Sequence, residues 1–290
     1  MDCLVHIFER LGLEDLVLGV PFTCKSWYKA SLDPLPWKVL NFRWLNLHRR
    51  ISFQNRFQRE YRLDKFSFLG LLRFAVNRSR RSAVEITFPS SHFISLNELA
   101  YVSDDWAQQM KGQDPVYGSQ VRRKDAGNLV YRPDLCPSLK ILSLPYKRLL
   151  EVDKQIAQFM PKWKDLEHLN MYVNPRSFNQ IIKQIGFHCK NFVGLKTKGP
   201  ISRQEASAIA TWLPKIKYLI LNYSYLFKES LMMILEGCRE LEELDVTDCR
   251  GLDVDDDILK LASHIKTFRY GWVSPMKTIE YGCSKLSYFV

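Results

Sequence analysis

The stretch that decides the fold reads LKILSL at residues 139–144 and LEHLNM at residues 166–171. Four further copies follow with substitutions: FVGLKT at 192–197, IKYLIL at 216–221, LEELDV at 241–246 and IKTFRY at 265–270. Each copy begins 24 to 27 residues after the one before it. This regular spacing predicts a stack of similar units, in which each unit shares a continuous core with its neighbours.

Within each copy the fourth and sixth positions are mostly apolar, an alternation that predicts a short strand with one buried face. Helix signals lie between the copies. Ser202 and Glu205 have the spacing of a capping box, Asn174 and Pro175 predict a cap followed by a first-turn proline, and the acids of 253–257 suit a helix N-terminus. One strand and one helix per repeat predict an α/β fold, a right-handed leucine-rich-repeat solenoid with parallel strands inside and helices outside.

An earlier copy of the repeat lies at residues 83–88. A second capping box, Ser95 with Glu98, follows it. Residues 104–133 are polar and show little apolar periodicity, so we interpret them as a disordered insertion in a surface loop. A further copy begins at Leu286.

Four cysteines share one slot, three residues before the first position of a copy: Cys136, Cys189, Cys238 and Cys283. The same slot holds Trp, Leu or Ala in other copies, which indicates a packing position. The odd total of 7 cysteines and the lack of Cys-x-x-Cys spacing favour reduced thiols in a cytoplasmic or nuclear protein. The sequence therefore predicts no cofactor, no metal site and no catalytic residue.

The formal net charge of +11 is distributed unevenly. Residues 41–81 hold eleven Lys and Arg against two acids, whereas residues 229–257 hold eleven acids against two Arg. Because a nucleic-acid-binding chain does not need such an acidic block, nucleic acid is an unlikely partner. No apolar run is long enough to span a membrane, so a membrane partner is not expected.

The pattern of the first forty residues predicts short amphipathic helices whose apolar residues form two stripes. These forty residues contain, in order, Leu4, Ile7-Phe8, Leu11, Asp15-Leu16, Cys24-Lys25-x-Trp27 and Trp37. This order resembles the F-box, and with the repeats behind it the chain resembles an F-box/leucine-rich-repeat protein of the kind abundant in plants. The Leu-Pro pair that usually opens this motif would precede Asp2. The residues that carry the resemblance, and that it implies contact a Skp-family linker protein, are Leu4, Phe8, Leu11, Leu16, Cys24, Lys25 and Trp27.

The resemblance implies a non-catalytic adaptor, in which the F-box binds the linker protein and through it a cullin, and the repeats bind a protein substrate for ubiquitination. The expected domains are an F-box module at 1–42, a basic helical connector at 43–82 and the solenoid at 83–290. Two alternatives remain open: a repeat scaffold with a vestigial F-box that engages no ligase, and a receptor for a small molecule or hormone.

Substrate contacts are expected on the inner surface of the solenoid, where strand side chains at the third, fifth and seventh positions point away from the core. Tyr172, Tyr218 and Ile220 are predicted anchors, and Glu243 with Asp245 is predicted to select a basic stretch of substrate. The complete predicted set is His168, Asn170, Tyr172, Lys196, Tyr218, Ile220, Glu243, Asp245 and Arg269.

Overall fold

A computed structural model describes residues 2–43, 45, 53–90, 92–103, 136–145 and 153–272. The chain divides into two units, Met1–Pro89 with Ile94–Leu139 and Ser90–Phe93 with Lys140–Val290. The predicted insertion at 104–133, the further copy from Leu286 and the slot at Cys283 lie outside the described residues. The domain boundaries expected from the sequence stay a prediction.

The first unit is mainly helical. Its strands β1 (Val39–Asn41) and β2 (Glu85–Thr87) pair in parallel, with Leu40 opposite Ile86. Strand β2 is the strand predicted for the early repeat copy. The helices are α1 (Asp2–Phe8), α2 (Leu13–Leu18), α3 (Val20–Thr23), α4 (Lys25–Ala30), α5 (Phe53–Tyr61), α6 (Phe68–Ser79) and α7 (Leu96–Ser103).

Aromatic side chains pack the connector helices together. Phe53, Phe57, Tyr61, Phe66 and Phe74 form a cluster with ring centroids between 4.6 and 6.4 Å apart. Edge-to-face and offset arrangements of this kind add about 0.5–1.5 kcal/mol per pair beyond the buried area. The aromatic residues that interleave with basic residues in this segment therefore form a core.

The second unit contains the repeats. Its helices are α8 (Asp153–Phe159), α9 (Phe178–His188), α10 (Arg203–Trp212), α11 (Lys228–Gly237) and α12 (Asp256–Leu261). Its strands are β3 (Ile141–Ser143), β4 (His168–Tyr172), β5 (Gly194–Lys198), β6 (Pro200–Ile201), β7 (Tyr218–Ile220), β8 (Tyr225–Leu226), β9 (Glu243–Asp245) and β10 (Thr267–Arg269). Six of these strands form a parallel sheet in the order β3-β4-β5-β7-β9-β10, and β6 pairs with β8. The predicted fold class is confirmed.

The fourth position of every copy forms one ladder across the sheet, through the Cα-partnered residues Leu142, Leu169, Leu195, Leu219, Leu244 and Phe268. The five leucines are at most 1% exposed. Burial of each leucine contributes about 1.5–3 kcal/mol relative to the exposed side chain. The equivalent positions predicted from the sequence spacing are thus the residues that pair in the register of the sheet.

The cysteine slot is a packing position in the described repeats. Cys136, Cys189 and Cys238 are buried. The Cys189 thiol donates to the carbonyl oxygen of Trp163 at 3.3 Å, and the Cys238 thiol donates to that of Leu213 at 3.7 Å. Since Trp163 and Leu213 hold the same slot one repeat earlier, each thiol links its repeat to the preceding one.

The predicted helix starts are partly confirmed. Ser202 and Glu205 form the expected capping box before α10, and Ser95 and Glu98 bond reciprocally before α7. The prediction that Asn174 caps α9 was wrong, because this helix begins at Phe178. The Asn174 side chain does accept a hydrogen bond from the Arg176 backbone N–H at 3.0 Å, the bond expected of a cap, but it closes a turn that precedes the helix.

No helix in the described ranges is both long enough and apolar enough to cross a bilayer. The described residues also contain no group of three or more His, Cys, Asp or Glu placed to bind a metal ion. Asp255, which belongs to the acidic run at 253–257, accepts from the backbone N–H of Ile258 at 3.2 Å and so caps α12.

Candidate partner-binding surfaces

The N-terminal helices have a closed interior. Phe8 has no exposed surface and Leu16 is 1% exposed. The Phe8 ring meets the edge of the Trp27 ring at a centroid distance of 5.3 Å. Phe8 and Leu16 are two of the residues expected to contact a linker protein. Their side chains are buried between the helices, so they can stabilise such a surface but cannot form part of it.

Other side chains of the same helices face solvent. Cys24 and Lys25 are exposed, whereas Leu4 and Leu11 are partly exposed. Two larger exposed apolar side chains were not in the predicted contact set, Ile7 at 55% and Phe22 at 46% exposure. Ile7 lies on the same predicted apolar stripe as Leu4, at helical spacing. Phe22 gave no signal, because α3 has only four residues.

The connector holds these helices in place. The Trp37 indole is 1% exposed, and its Nε1–H donates to the carbonyl oxygen of Ser31 at 2.8 Å. The Tyr61 hydroxyl donates to the carbonyl oxygen of Val17 at 2.9 Å, and Arg56 forms an exposed ion pair with Glu14 at 2.8 Å. Two contacts from α5 to α2, and the bond between Trp37 and Ser31, therefore help to hold a module that is too small to bury a large core by itself.

In the repeat unit, the inner strand positions differ in what they offer to a partner. Tyr172 is 38% exposed, and Lys196, Tyr218, His168 and Arg269 are partly exposed. Asn170 has no exposed surface and Ile220 has 7%. Neighbouring strands lie about 4.8 Å apart, so side chains at the same level cover one another. Asn170 is placed for packing, and Ile220 offers little area as an anchor.

The two acids predicted to select a basic stretch are almost buried and already bonded. Glu243 is 7% exposed and forms an ion pair with Arg269. Asp245 is 9% exposed and accepts from both the backbone N–H and the hydroxyl of Thr247, at 2.9 and 2.7 Å. A basic partner would have to displace these contacts, so the structure gives no support for selection by these carboxylates.

His168 lies against the backbone of the next strand. A Cβ added at Gly194 would be 2.0 Å from Nδ1 of His168, so the close approach requires glycine. Burial lowers the pKa of His168, an effect partly opposed by the charge of Glu167. The imidazole ring lies 6.0 Å from the ring of Tyr218. At neutral pH the surface here is therefore aromatic and uncharged.

An open groove of about 430 Å³ lies at the carboxyl ends of β4, β5 and β7. We call it the basic groove and define it by its lining residues, Tyr172, Lys196, Thr197, Lys198, Asn222 and Tyr223. Tyr172 and Lys196 belong to the set predicted from the sequence, whereas Tyr223, which follows the inner strand positions of its copy, does not. Tyr223 enters the groove because its backbone adopts the left-handed conformation, with φ of 59°.

These features define the class of fold: an α/β repeat unit with parallel strands, and a small module of short helices at the N-terminus. No family model matches the chain. It is 28% identical over 252 residues to an F-box/LRR-repeat protein of Arabidopsis thaliana, covering 85% of this chain and 69% of the relative. It is 27% identical over 244 residues to the putative F-box/LRR-repeat protein 21 of the same plant, covering 84% and 70%. The F-box protein FBW2 is 24% identical over 267 residues, covering 89% and 69%.

The chain is therefore similar, over most of its length, to F-box/LRR-repeat proteins of Arabidopsis thaliana.

Proposed function

We propose that the chain is the substrate-recognition subunit of an SCF-type ubiquitin ligase. The N-terminal helices bind a Skp-family linker protein, and through it a cullin, while the repeats bind a protein substrate. The adaptor itself carries out no covalent step. The observation that carries the proposal is the N-terminal module, where a packed interior supports exposed apolar side chains such as Ile7 and Phe22.

The burial pattern supports a proposed docking surface made of the exposed side chains only. Phe8, Leu16 and Trp27 form or border the interior, so changing them would test folding as much as binding. Ile7, Phe22 and Lys25 can be changed at the surface. An aspartate at an exposed apolar position removes contact area and adds a charge that must be desolvated on binding.

The test is co-purification of the full chain with a Skp-family linker protein and a cullin. We expect wild type to retain both, and Ile7→Asp with Lys25→Glu to lose both while its circular dichroism spectrum is unchanged. Phe187→Asp is the matched control, because Phe187 is a comparably exposed apolar side chain, at 48%, on helix α9. The proposal fails if wild type retains neither protein, or if the double variant binds as wild type does.

A further inference from the structure

Three aromatic side chains stand in a row on the surface of the repeat unit, and we call Tyr223, Tyr225 and Phe227 the aromatic row. They are 55%, 51% and 57% exposed, whereas Ser224 and Leu226 between them have no exposed surface. This is the alternation of an extended segment with one buried face, but aromatic rings occupy the solvent side, where polar side chains are usual. Large aromatic side chains that stay exposed next to one another are typical of binding surfaces.

Neighbouring groups hold the rings of the row in place. The guanidinium carbon of Arg250 lies 5.5 Å from the centroid of the Tyr225 ring, and a guanidinium N–H donates to the Tyr225 hydroxyl at 2.9 Å. The Phe227 ring lies against the backbone at Gly251, where an added Cβ would be 2.9 Å from Cε1 of the ring. Gly251 also has a φ of 83°, so both its space and its conformation favour glycine. Rings held in this way lose little conformational entropy when a partner binds.

The polar groups at the two tyrosines differ in what they offer to a partner. Lys198 lies over the Tyr223 ring, and the Tyr223 hydroxyl bonds to the Asp248 carboxylate, so these groups are already engaged within the chain. At Tyr225 the hydroxyl oxygen accepts from Arg250, and the hydroxyl proton remains to donate. The middle of the row therefore presents a hydrogen-bond donor between apolar rings.

A partner cannot bind here by adding a strand, because the backbone of β8 is paired on both sides. On one side the N–H of Tyr225 donates to the carbonyl oxygen of Gly199 at 3.1 Å. On the other side the N–H of Leu226 donates to the carbonyl oxygen of Arg250 at 3.0 Å, and the N–H of Arg250 donates to that of Ser224 at 2.8 Å. Strand addition needs an open edge. The side chains of the row must therefore supply the contacts.

A polyproline II helix meets these conditions. It has no internal hydrogen bonds, and its prolines have no N–H, so it presents carbonyl acceptors without donors, which complements the donor at Tyr225. Its three-residue turn advances about 9 Å and repeats one apolar face. Tyr225 and Phe227 lie two residues apart in extended backbone, about 6.6 Å, and so offer neighbouring rings to that face. The helix is also largely formed before binding, so little entropy is lost.

We infer that the aromatic row is a docking surface for a proline-rich segment of a partner protein, bound as a polyproline II helix. The rings of Tyr225 and Phe227 supply the contact area, and the Tyr225 hydroxyl donates to a carbonyl oxygen of the segment. The inference goes beyond the proposed function and does not rest on it, because the row lies in the repeat unit and the proposed linker-protein surface lies on the N-terminal helices.

The test is fluorescence anisotropy of the full chain with a dye-labelled decaproline peptide and, as reference, a glycine-serine peptide of the same length. We expect decaproline to bind about tenfold or more tightly than the reference. Tyr225→Ala with Phe227→Ala should weaken decaproline binding by about tenfold or more, because the central rings of a surface carry most of its affinity. Tyr225→Phe keeps the ring and removes the donor, so it should weaken binding by about fivefold, the effect of one hydrogen bond.

Phe187→Ala is the matched control, because it removes a comparably exposed ring, at 48%, from helix α9. Circular dichroism checks that every variant is folded. The inference is overturned if decaproline binds no better than the glycine-serine peptide, or if the control weakens binding as much as the double variant does. It is also overturned if an alternating valine-threonine peptide, which favours an extended strand, binds as well as decaproline. A chain that sediments as a dimer through these rings, and binds no decaproline, would assign the row to a second copy instead.

Discussion

Gly194→Ala is the substitution for which the structure predicts the clearest single clash. The added methyl carbon would lie 2.0 Å from Nδ1, 2.8 Å from Cε1 and 3.2 Å from Cγ of His168. These are ring atoms, and Cγ is bonded to Cβ, so the clash cannot be relieved by moving only the end of a long side chain. Either the imidazole ring leaves its place against β5 or the two strands separate.

Overpacking of this kind typically destabilises by about 1–3 kcal/mol. We expect Gly194→Ala to lower the free energy of unfolding of the repeat unit by that amount. In a His168→Ala background the clash disappears, and the same glycine change should then be close to neutral. The difference between the two backgrounds, a coupling of about 1 kcal/mol or more, is a direct measure of the contact.

The assay is urea unfolding of all four chains, wild type, both single variants and the double variant, followed by circular dichroism and tryptophan fluorescence. Gly12→Ala is the matched control, because a Cβ there meets nothing within 4 Å. It reports the effect of removing a glycine from the unfolded chain alone. If Gly194→Ala destabilises equally with and without the His168 ring, the steric explanation is refuted.

Three further outcomes follow from the local chemistry. Because burial lowers the pKa of His168 below its usual 6.5, the unfolded chain binds more protons, so stability should fall as pH drops below about 6.5; His168→Gln should reduce this fall in unfolding measurements at each pH. Burial raises the pKa of the Cys189 thiol to about 12, so mass spectrometry after brief alkylation of the native chain should find exposed Cys24 modified and Cys189 protected. Ser202→Ala removes a cap and should destabilise by about 1 kcal/mol, whereas Ser207→Ala, at an exposed position inside α10, should not, as urea midpoints would show.

The sequence could predict the repeat stack because its signals are local and repeated. Leu219 needs a partner at the same level in each neighbouring strand, and a nearly constant spacing supplies one at Leu195 and one at Leu244. The box of Ser202 and Glu205 depends on four consecutive residues, so it is also visible in the sequence. At Asn174 the predicted side-chain bond to the Arg176 N–H forms, but it belongs to a turn, and the helix begins only at Phe178.

The binding surfaces were harder to predict because exposure is set by residues far away in the chain. Asn170 occupies an inner strand position by the alternation rule, yet the residues at its level in β3 and β5, Ser143 and Lys196, leave it no exposed surface. Tyr223 enters the groove because its backbone adopts the left-handed conformation, which is uncommon for tyrosine and could not be predicted from the residue type. The alternation of a strand predicts direction correctly, but exposure depends on the neighbouring strands.

The charge exposed to a partner also could not be predicted from the sequence alone. The acidic block at 229–257 suggested a surface that attracts basic partners, but many of its carboxylates are bonded within the chain. Glu242 lies between Lys217 and Lys266, at 3.0 and 2.8 Å, and all three occupy the second position of successive copies. Such exposed pairs add only about 0–1 kcal/mol each to stability. Their larger effect is to offset charge, which also holds for Glu243 with Arg269.

The helix that follows is arranged similarly, because Lys228 bonds to both Asp255 and Asp257 at the start of α12. Lys196 and Lys198 line the basic groove, where the ammonium nitrogen of Lys198 lies 5.0 Å from the centroid of the Tyr223 ring. The charge that a partner meets is therefore not the charge counted along the chain.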